Sequence, residues 1–343
     1  MEIENTCTPL VSVLIPAYNH EKYVQESIKS IISQTYKNIE LLVINDGSSD
    51  STWQKLIELE SVCKERFIRV VFWNQSNMGC AQTLNNLLSN ARGDYIYLIA
   101  SDDVASSHAI ETEVDFLESN NEYALVVGDS ILIDSEGKRC YWNKKCKIVY
   151  EKEKAEFVTF CDFLQKKHGF SFLTNKFGSY KELYKINHVP NGYLIKKEIF
   201  ENFRYTKEAP LEDWNLMLYI AKYHKMKYLD EILFMYRQHS NNTIRDTEKM
   251  MLMENMTRQY EDELLCQLNL KKTTLEATEF IKRNLGKKIV MKSTFSKIYK
   301  RVKLAAYSFI FSVAQFPLIN FLFPKRIIHK LLVKILYLGE FKI

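Results

Sequence analysis

Asp102 and Asp103 are adjacent carboxylates that close an apolar run, Asp94-Tyr-Ile-Tyr-Leu-Ile-Ala-Ser-Asp102-Asp103. Side-by-side negative charges repel, so the pair is costly unless a cation or hydrogen-bond donors compensate it. Oxygen ligands of this kind suit a hard divalent ion. The chain ahead of the pair supplies the elements that must position it. Val11–Ile15 runs into Pro16-Ala17-Tyr18-Asn19, Ile39–Ile44 into Asn45-Asp46-Gly47-Ser48-Ser49-Asp50, and Phe67–Trp73 into a turn ending at Asn77-Met78-Gly79. Helical patterns follow each turn, over Glu21–Ser33, Ser51–Cys63 and Gly79–Asn90. This alternation predicts an α/β fold with a doubly wound, mainly parallel sheet, whose ligands gather at the carboxyl ends of the strands.

The chain has 343 residues, enough for a well-buried core, with the apolar and charged fractions of a globular protein. Its seven cysteines are scattered and form no CxxC pair, which argues against a zinc site or a disulfide framework and favours a reducing compartment. The first nine residues carry two acids and no basic, apolar leader, so no secretory signal is expected. Charge is unevenly placed. From Lys282 onward there are fourteen Lys or Arg and one acid, Glu340, a net of about +13 that leaves the remainder near −8. An acidic body with a basic tail is not the pattern of a nucleic-acid binder with a basic cleft.

The pattern divides the chain into residues 9–243, a helical extension over 244–285, and a basic, apolar tail over 286–343. Tyr123–Asp134 reads as a further strand or a hairpin arm. Residues 138–188 lose clear periodicity and read as a long, partly mobile connection able to fold over a ligand. Order returns at His188–Ile195, Leu211–Tyr223 and Leu229–Tyr236. In the tail, Leu304–Phe323 is an uncharged window of twenty residues, with basic residues on both sides. Flanking charge of one sign suits a helix lying in an anionic leaflet better than a span. Peripheral attachment to the cytoplasmic face of a membrane is therefore expected.

Between Val11 and about Asn242 the chain resembles the inverting glycosyltransferases of family 2, which have the GT-A fold. The resemblance rests on Val-Leu-Ile-Pro-Ala-Tyr-Asn19, Asn-Asp46-Gly-Ser-Ser-Asp50, Asn77-Met-Gly79 with Asn85, Ser101-Asp102-Asp103, Glu212-Asp213-Trp214 and Tyr236-Arg237-Gln-His239-Ser-Asn-Asn242, in that order. It implies that Pro16, Ala17, Tyr18 and Asn19 line the nucleotide, that Asp46 accepts a hydrogen bond from uracil, and that Asp102 meets the ribose. Asp46 also suits a turn and helix cap, as do Asn77 and Gly79. Asp103 would hold Mn²⁺ or Mg²⁺ on the diphosphate, with His239 a further metal or diphosphate contact and Arg237 a phosphate partner. Many relatives carry an acid two residues before Asp102; here that position is Ala100. Asp213 would be the general base. Glu212, Trp214 and Asn191 are weaker candidates on the acceptor side, with Glu212 also fitted to a helix first turn.

No Trp follows Trp214, so the Gln-x-x-Arg-Trp motif of processive relatives is absent from this sequence. The expected activity is transfer of one hexose or N-acetylhexosamine from a UDP-sugar to an oligosaccharide or lipid-diphosphate-linked acceptor, as in the building of bacterial O-antigen or capsule. The other reading is a non-catalytic sugar-nucleotide-binding or membrane scaffold protein of the same fold. Three intact acids, Asp102, Asp103 and Asp213, weigh against it.

Overall fold

A computed structural model describes residues 8–240 and 242–285. The chain alternates as expected through β1 (Val11–Ala17), α1 (Val24–Ile32), β2 (Ile39–Asp46), α2 (Thr52–Ile57), α3 (Glu60–Arg66), β3 (Arg69–Gln75), α4 (Cys80–Asn90) and β4 (Tyr95–Leu98). All eight residues of β2 are buried and β1 is nearly so. Such strands are apolar without alternation because helices cover both faces of the sheet. The four strands are parallel, in the spatial order β3-β2-β1-β4.

Beyond β4 the pattern changes. The chain continues through β5 (Val104–Ala105), α5 (Ala109–Ser119), β6 (Tyr123–Ile133), β7 (Arg139–Trp142), β8 (Ile148–Val149), α6 (Phe160–His168), α7 (Tyr180–Leu183), β9 (Tyr193–Lys196), α8 (Glu212–Tyr223), β10 (Lys225–Arg237) and α9 (Thr247–Leu285). The sheet extends as β4-β9-β6-β10-β5. Here β9 runs antiparallel to both β4 and β6, and β5 antiparallel to β10, while β6 and β10 are parallel. The sheet is therefore mixed rather than mainly parallel. A mainly parallel sheet was expected, but β9 arrives after the long 143–192 connection, and antiparallel neighbours need no helical crossover.

That connection is built into the core. Thr159 Oγ1 accepts the Asp162 N–H at the start of α6 (3.0 Å), and Gly169 ends the helix in the left-handed region. Phe170, Phe172, Phe177 and Leu183 are buried in one cluster with β9, α8 and the inner side of β4. The irregular sequence reflects packing by aromatics at non-periodic spacing. Just before β9, Gly192 has φ +75°, and a Cβ there would lie 2.1 Å from the Phe234 ring, so the strand start requires glycine.

Residues up to Leu268 form one compact unit, and a second begins at Asn269. Within the first, α9 is fastened by a buried ion pair between Lys222 and Glu261 (2.9 Å) and by Thr257, whose hydroxyl accepts the Leu211 N–H (3.1 Å). Among the described residues no helix is long and apolar enough to cross a membrane. The 286–343 tail and its 304–323 window lie outside the described residues.

Candidate active site

A cleft of about 650 Å³ opens at the carboxyl ends of β1, β2 and β4, where Pro16, Ala17, Tyr18 and Asn19 form one wall. Asn19 sits in the left-handed region (φ 54°), which asparagine tolerates. Its side-chain oxygen accepts the Ser49 N–H (2.8 Å) and its own N–H donates to Ser48 Oγ (2.9 Å), so the turns after β1 and β2 are pinned together. Gly47 makes a second close approach. Its φ is +68° and a Cβ would stand 2.6 Å from the Asn77 backbone nitrogen.

Asp46, at the end of β2, lines the cleft but is already engaged. Oδ1 accepts from Gln75 Nε2 (2.9 Å) and from the Met78 N–H (2.8 Å), and Oδ2 accepts the Gly79 N–H (2.9 Å). The carboxylate thus shapes the Asn77–Gly79 turn as well as facing the cavity. A carboxylate has about four acceptor positions, so Oδ2 can still take one donor from a ligand.

Asp102 and Asp103 are both buried at the cleft floor. Asp102 Oδ2 lies 2.9 Å from His239 Nε2, and its Oδ1 lies 3.8 Å from Nδ1 of His20, which is 2.8 Å from Ser101 Oγ. Asp103 Oδ1 accepts the backbone N–H of Arg237 (2.8 Å). Burial pushes both carboxyls up. At Asp102 the His239 contact and His20 outweigh burial and hold it below the ordinary range, whereas at Asp103 the charge of Asp102 adds to burial and drives it well above. Burial also lowers His20, against the pull of Asp102.

Ligand atoms of His20, Asp102 and His239 lie within 4.8 Å of one another. Two imidazole nitrogens and a carboxylate oxygen form a donor set that suits Mn²⁺ better than Mg²⁺. These residues therefore fit a divalent ion. The Tyr23 ring stacks on His239 at 4.7 Å and fixes its plane.

Glu212 and Asp213 open α8. Asp213 Oδ2 accepts from Asn187 Nδ2 (2.9 Å) and Oδ1 from the Trp214 N–H (2.8 Å). Burial raises its carboxyl despite these bonds. Glu212 lines a second hollow of about 550 Å³, which shares Gly79 and Cys80 with the main cleft. Burial, with Asp213 adding to it, lifts Glu212 to about 7. Tyr236 lines the main cleft, and burial raises its phenol, with the charges of Asp103, Asp102 and Asp213 adding to it.

Asn191 also lines the cleft. Five expected site residues are not in its lining: Asp213, Glu212, which borders the second hollow, His239, which bonds to Asp102, and Arg237 and Trp214. The Arg237 guanidinium is fully buried and donates to the carbonyls of Asp102 (2.7 Å) and Asp134 (3.1 Å) and to Glu26 (2.6 Å), which leaves it no phosphate to meet. Trp214 is a core residue, 2% exposed, whose indole N–H donates to the Leu183 carbonyl (2.7 Å). Conversely, sequence reasoning gave no role to His20, Asn187, Tyr236 or Lys249. His20 follows Asn19 in the same turn, and strand alternation turns Tyr236 to the face opposite Arg237, so those two were findable. Asn187 and Lys249 carried no signal.

The family model for glycosyl transferase family 2 matches residues 12–188, more than half of the chain. An uncharacterized glycosyltransferase of Haemophilus influenzae is 30% identical over 259 residues, covering 73% of this chain and 74% of its own. Another, from Rickettsia typhi, is 33% identical over 191 residues, 54% of this chain; the chain spans only 58% of that relative's length. Among solved structures, a mannosyltransferase from Pyrobaculum calidifontis in complex with GDP-Man and Mn²⁺ has the same fold, with a TM-score of 0.50 at 14% identity over 71% of this chain and 61% of its own.

Proposed function

The chain belongs to glycosyltransferase family 2, and from that premise we propose that it moves a single sugar from a UDP-sugar to a glycan acceptor with inversion at the anomeric carbon. The observation that supports this reading is the acid pair Asp102 and Asp103, with His239 and His20 against Asp102, at the floor of a cleft walled by Pro16–Asn19. The nucleotide lies along that wall, with Asp46 Oδ2 receiving the base N–H and Asp102 near the ribose. His20, Asp102 and His239, with Asp103 next in sequence, would hold Mn²⁺, the ion bound by the mannosyltransferase of the same fold. Bound there, the ion supplies positive charge that stabilises the departing nucleoside diphosphate.

Asp213 takes the proton of the acceptor hydroxyl as its oxygen bonds to the anomeric carbon. The carbon–oxygen bond to the diphosphate breaks on the opposite side and its electron pair leaves with the nucleotide. Burial makes the ionised Asp213 a stronger base than an exposed aspartate, and Asn187 orients it. Glu212, in the adjoining hollow, positions the acceptor. A basic, apolar tail suggests an acceptor linked to a lipid diphosphate at the cytoplasmic face of a bacterial membrane.

Asp213→Asn tests the assignment. UDP binding, read by calorimetry, should persist while transfer falls by about 10²–10⁴-fold; near-normal turnover in the variant rejects Asp213 as base. UDP-hexoses, UDP-N-acetylhexosamines and GDP-mannose, assayed with Mn²⁺ for nucleotide release, identify the donor, and the product anomer reports inversion. The tail is tested by sedimenting the full chain with anionic and with zwitterionic vesicles.

A further inference from the structure

The beginning of α9 places a cation at the mouth of the cleft and an apolar track leading away from it. Asp246 accepts the Lys249 backbone N–H (3.0 Å), which caps the first turn and fixes where this helix starts. Lys249 is the one Lys or Arg among the described residues lining the cleft, and its charge is felt by Glu212 in the adjoining hollow. Leu252 and Met256 follow at i+3 and i+7, so they share its helix face. They are 61% and 39% exposed, and Met251 beside them is 62% exposed. The stripe ends at half-buried Tyr260, which Glu208 of the second hollow influences. The buried face of the same helix is spent on Thr257 and Glu261, so the stripe is left to solvent.

We infer that this edge of α9 binds the acceptor's lipid diphosphate, Lys249 meeting the phosphate and the Leu252–Met256 stripe the hydrocarbon chain next to it. The inference rests on the lipid-linked acceptor proposed above and names the surface that would receive it. A free oligosaccharide has no use for contiguous exposed apolar side chains at a catalytic cleft. A lipid diphosphate needs this order: a cation at the headgroup, then apolar surface. The stripe is continuous with the cleft, so chain and sugar can be engaged together.

The probes are farnesyl diphosphate and inorganic pyrophosphate, titrated into the full chain with Mn²⁺, with and without saturating UDP. Farnesyl diphosphate should bind at least about tenfold tighter than pyrophosphate, a gap of roughly 1.4 kcal/mol. Leu252→Ser with Met256→Ser should erase that gap and leave UDP affinity unchanged. Lys249→Gln should weaken both probes and preserve their ratio. Equal binding of the two probes to the wild type, or an undiminished gap in the double serine variant, overturns the inference. Absence of UDP binding strikes the donor reading instead, and the ratio of the two probes in UDP-free protein still decides this one.

Discussion

The two ends of the sheet hold buried acids that are treated in opposite ways. At the amino ends of β1 and β4 lies a hollow of about 890 Å³, larger than the 650 Å³ cleft at the carboxyl ends. Yet the charges at its strand ends are engaged. Asp94 accepts the Leu10 N–H, the Tyr95 hydroxyl donates to Glu118, and Lys196 donates to the Asn121 carbonyl. Beneath it Glu40, wholly buried, takes hydrogen bonds from Ser12, the Arg92 N–H and Arg69. Burial pushes Glu40 up, but those donors outweigh it and its carboxyl lies below the ordinary range. At the carboxyl ends Asp103 has a backbone N–H for a partner and a second acid beside it, and its carboxyl is driven up. Glu40 is an acid the fold has completed; Asp103 is one it leaves with a single backbone donor and a second acid beside it. Volume does not locate the site. A raised buried carboxyl beside a second acid in a cleft does.

Substitution at the two ends should therefore separate stability from activity. Asp103→Asn removes one of two repelling charges, so transfer should fall by at least about 10²-fold while the urea midpoint at pH 7 stays level or rises. Glu40→Ala should do the reverse. It strands the Ser12 hydroxyl and the Arg92 N–H and takes the carboxylate partner from Arg69, and the loss of stability should be about 3–5 kcal/mol. Turnover of whatever remains folded should be near normal. If Asp103→Asn destabilises as much as Glu40→Ala, the contrast between the ends is lost.

The carboxyl end was legible because its signals are local. An apolar run fixes a strand, a polar turn ends it, and adjacency alone makes Asp102 and Asp103 a pair. The first four strands follow in the expected order for the same reason. Direction is different. Order is readable over His188–Ile195, but nothing in those residue types says that the strand Tyr193–Lys196 enters antiparallel. Arg237 and Trp214 misled because neighbours in sequence diverge in space. Strand alternation sends Arg237 away from Tyr236, and a helix turns Trp214 about 100° from Asp213, into the core. Lys249 could not be anticipated, since its place in the cleft depends on how α9 is fastened through Thr257 and Glu261.

A buried histidine extends the contrast to the connection that packs under the acceptor side. His188 is 1% exposed, with the Phe170 ring 4.0 Å from its own. Burial holds it down at about 4, against 6.5 in the unfolded chain. The unfolded chain then takes a proton near pH 6.5 that the folded one refuses until about 4, so stability is present above 6.5 and lost as pH falls through that window. The loss should approach 3 kcal/mol. Asp103 and Glu113, both raised by burial, act in the opposite sense and obscure the raw profile. Comparison with His188→Phe isolates the effect. Between pH 7.5 and 4.5 the wild type should lose about 3 kcal/mol more than the variant, measured by urea unfolding, and parallel profiles would mean that His188 is not held neutral.

The smallest expected effect is at the larger hollow. Glu198 and Glu201 line it and are exposed. If a raised buried acid pair marks the site, removing exposed acids from this cavity should cost nothing in catalysis. Glu198→Ala with Glu201→Ala should keep kcat/KM for the preferred donor within about twofold and stability within about 0.5 kcal/mol. The test is sharp because the two cavities lie at opposite ends of the same strands, so a change in the sheet itself would disturb both. A loss of transfer with the unfolding midpoint unchanged would show that the amino end takes part in the reaction, and the division of the sheet into a completed end and a reactive end would fall.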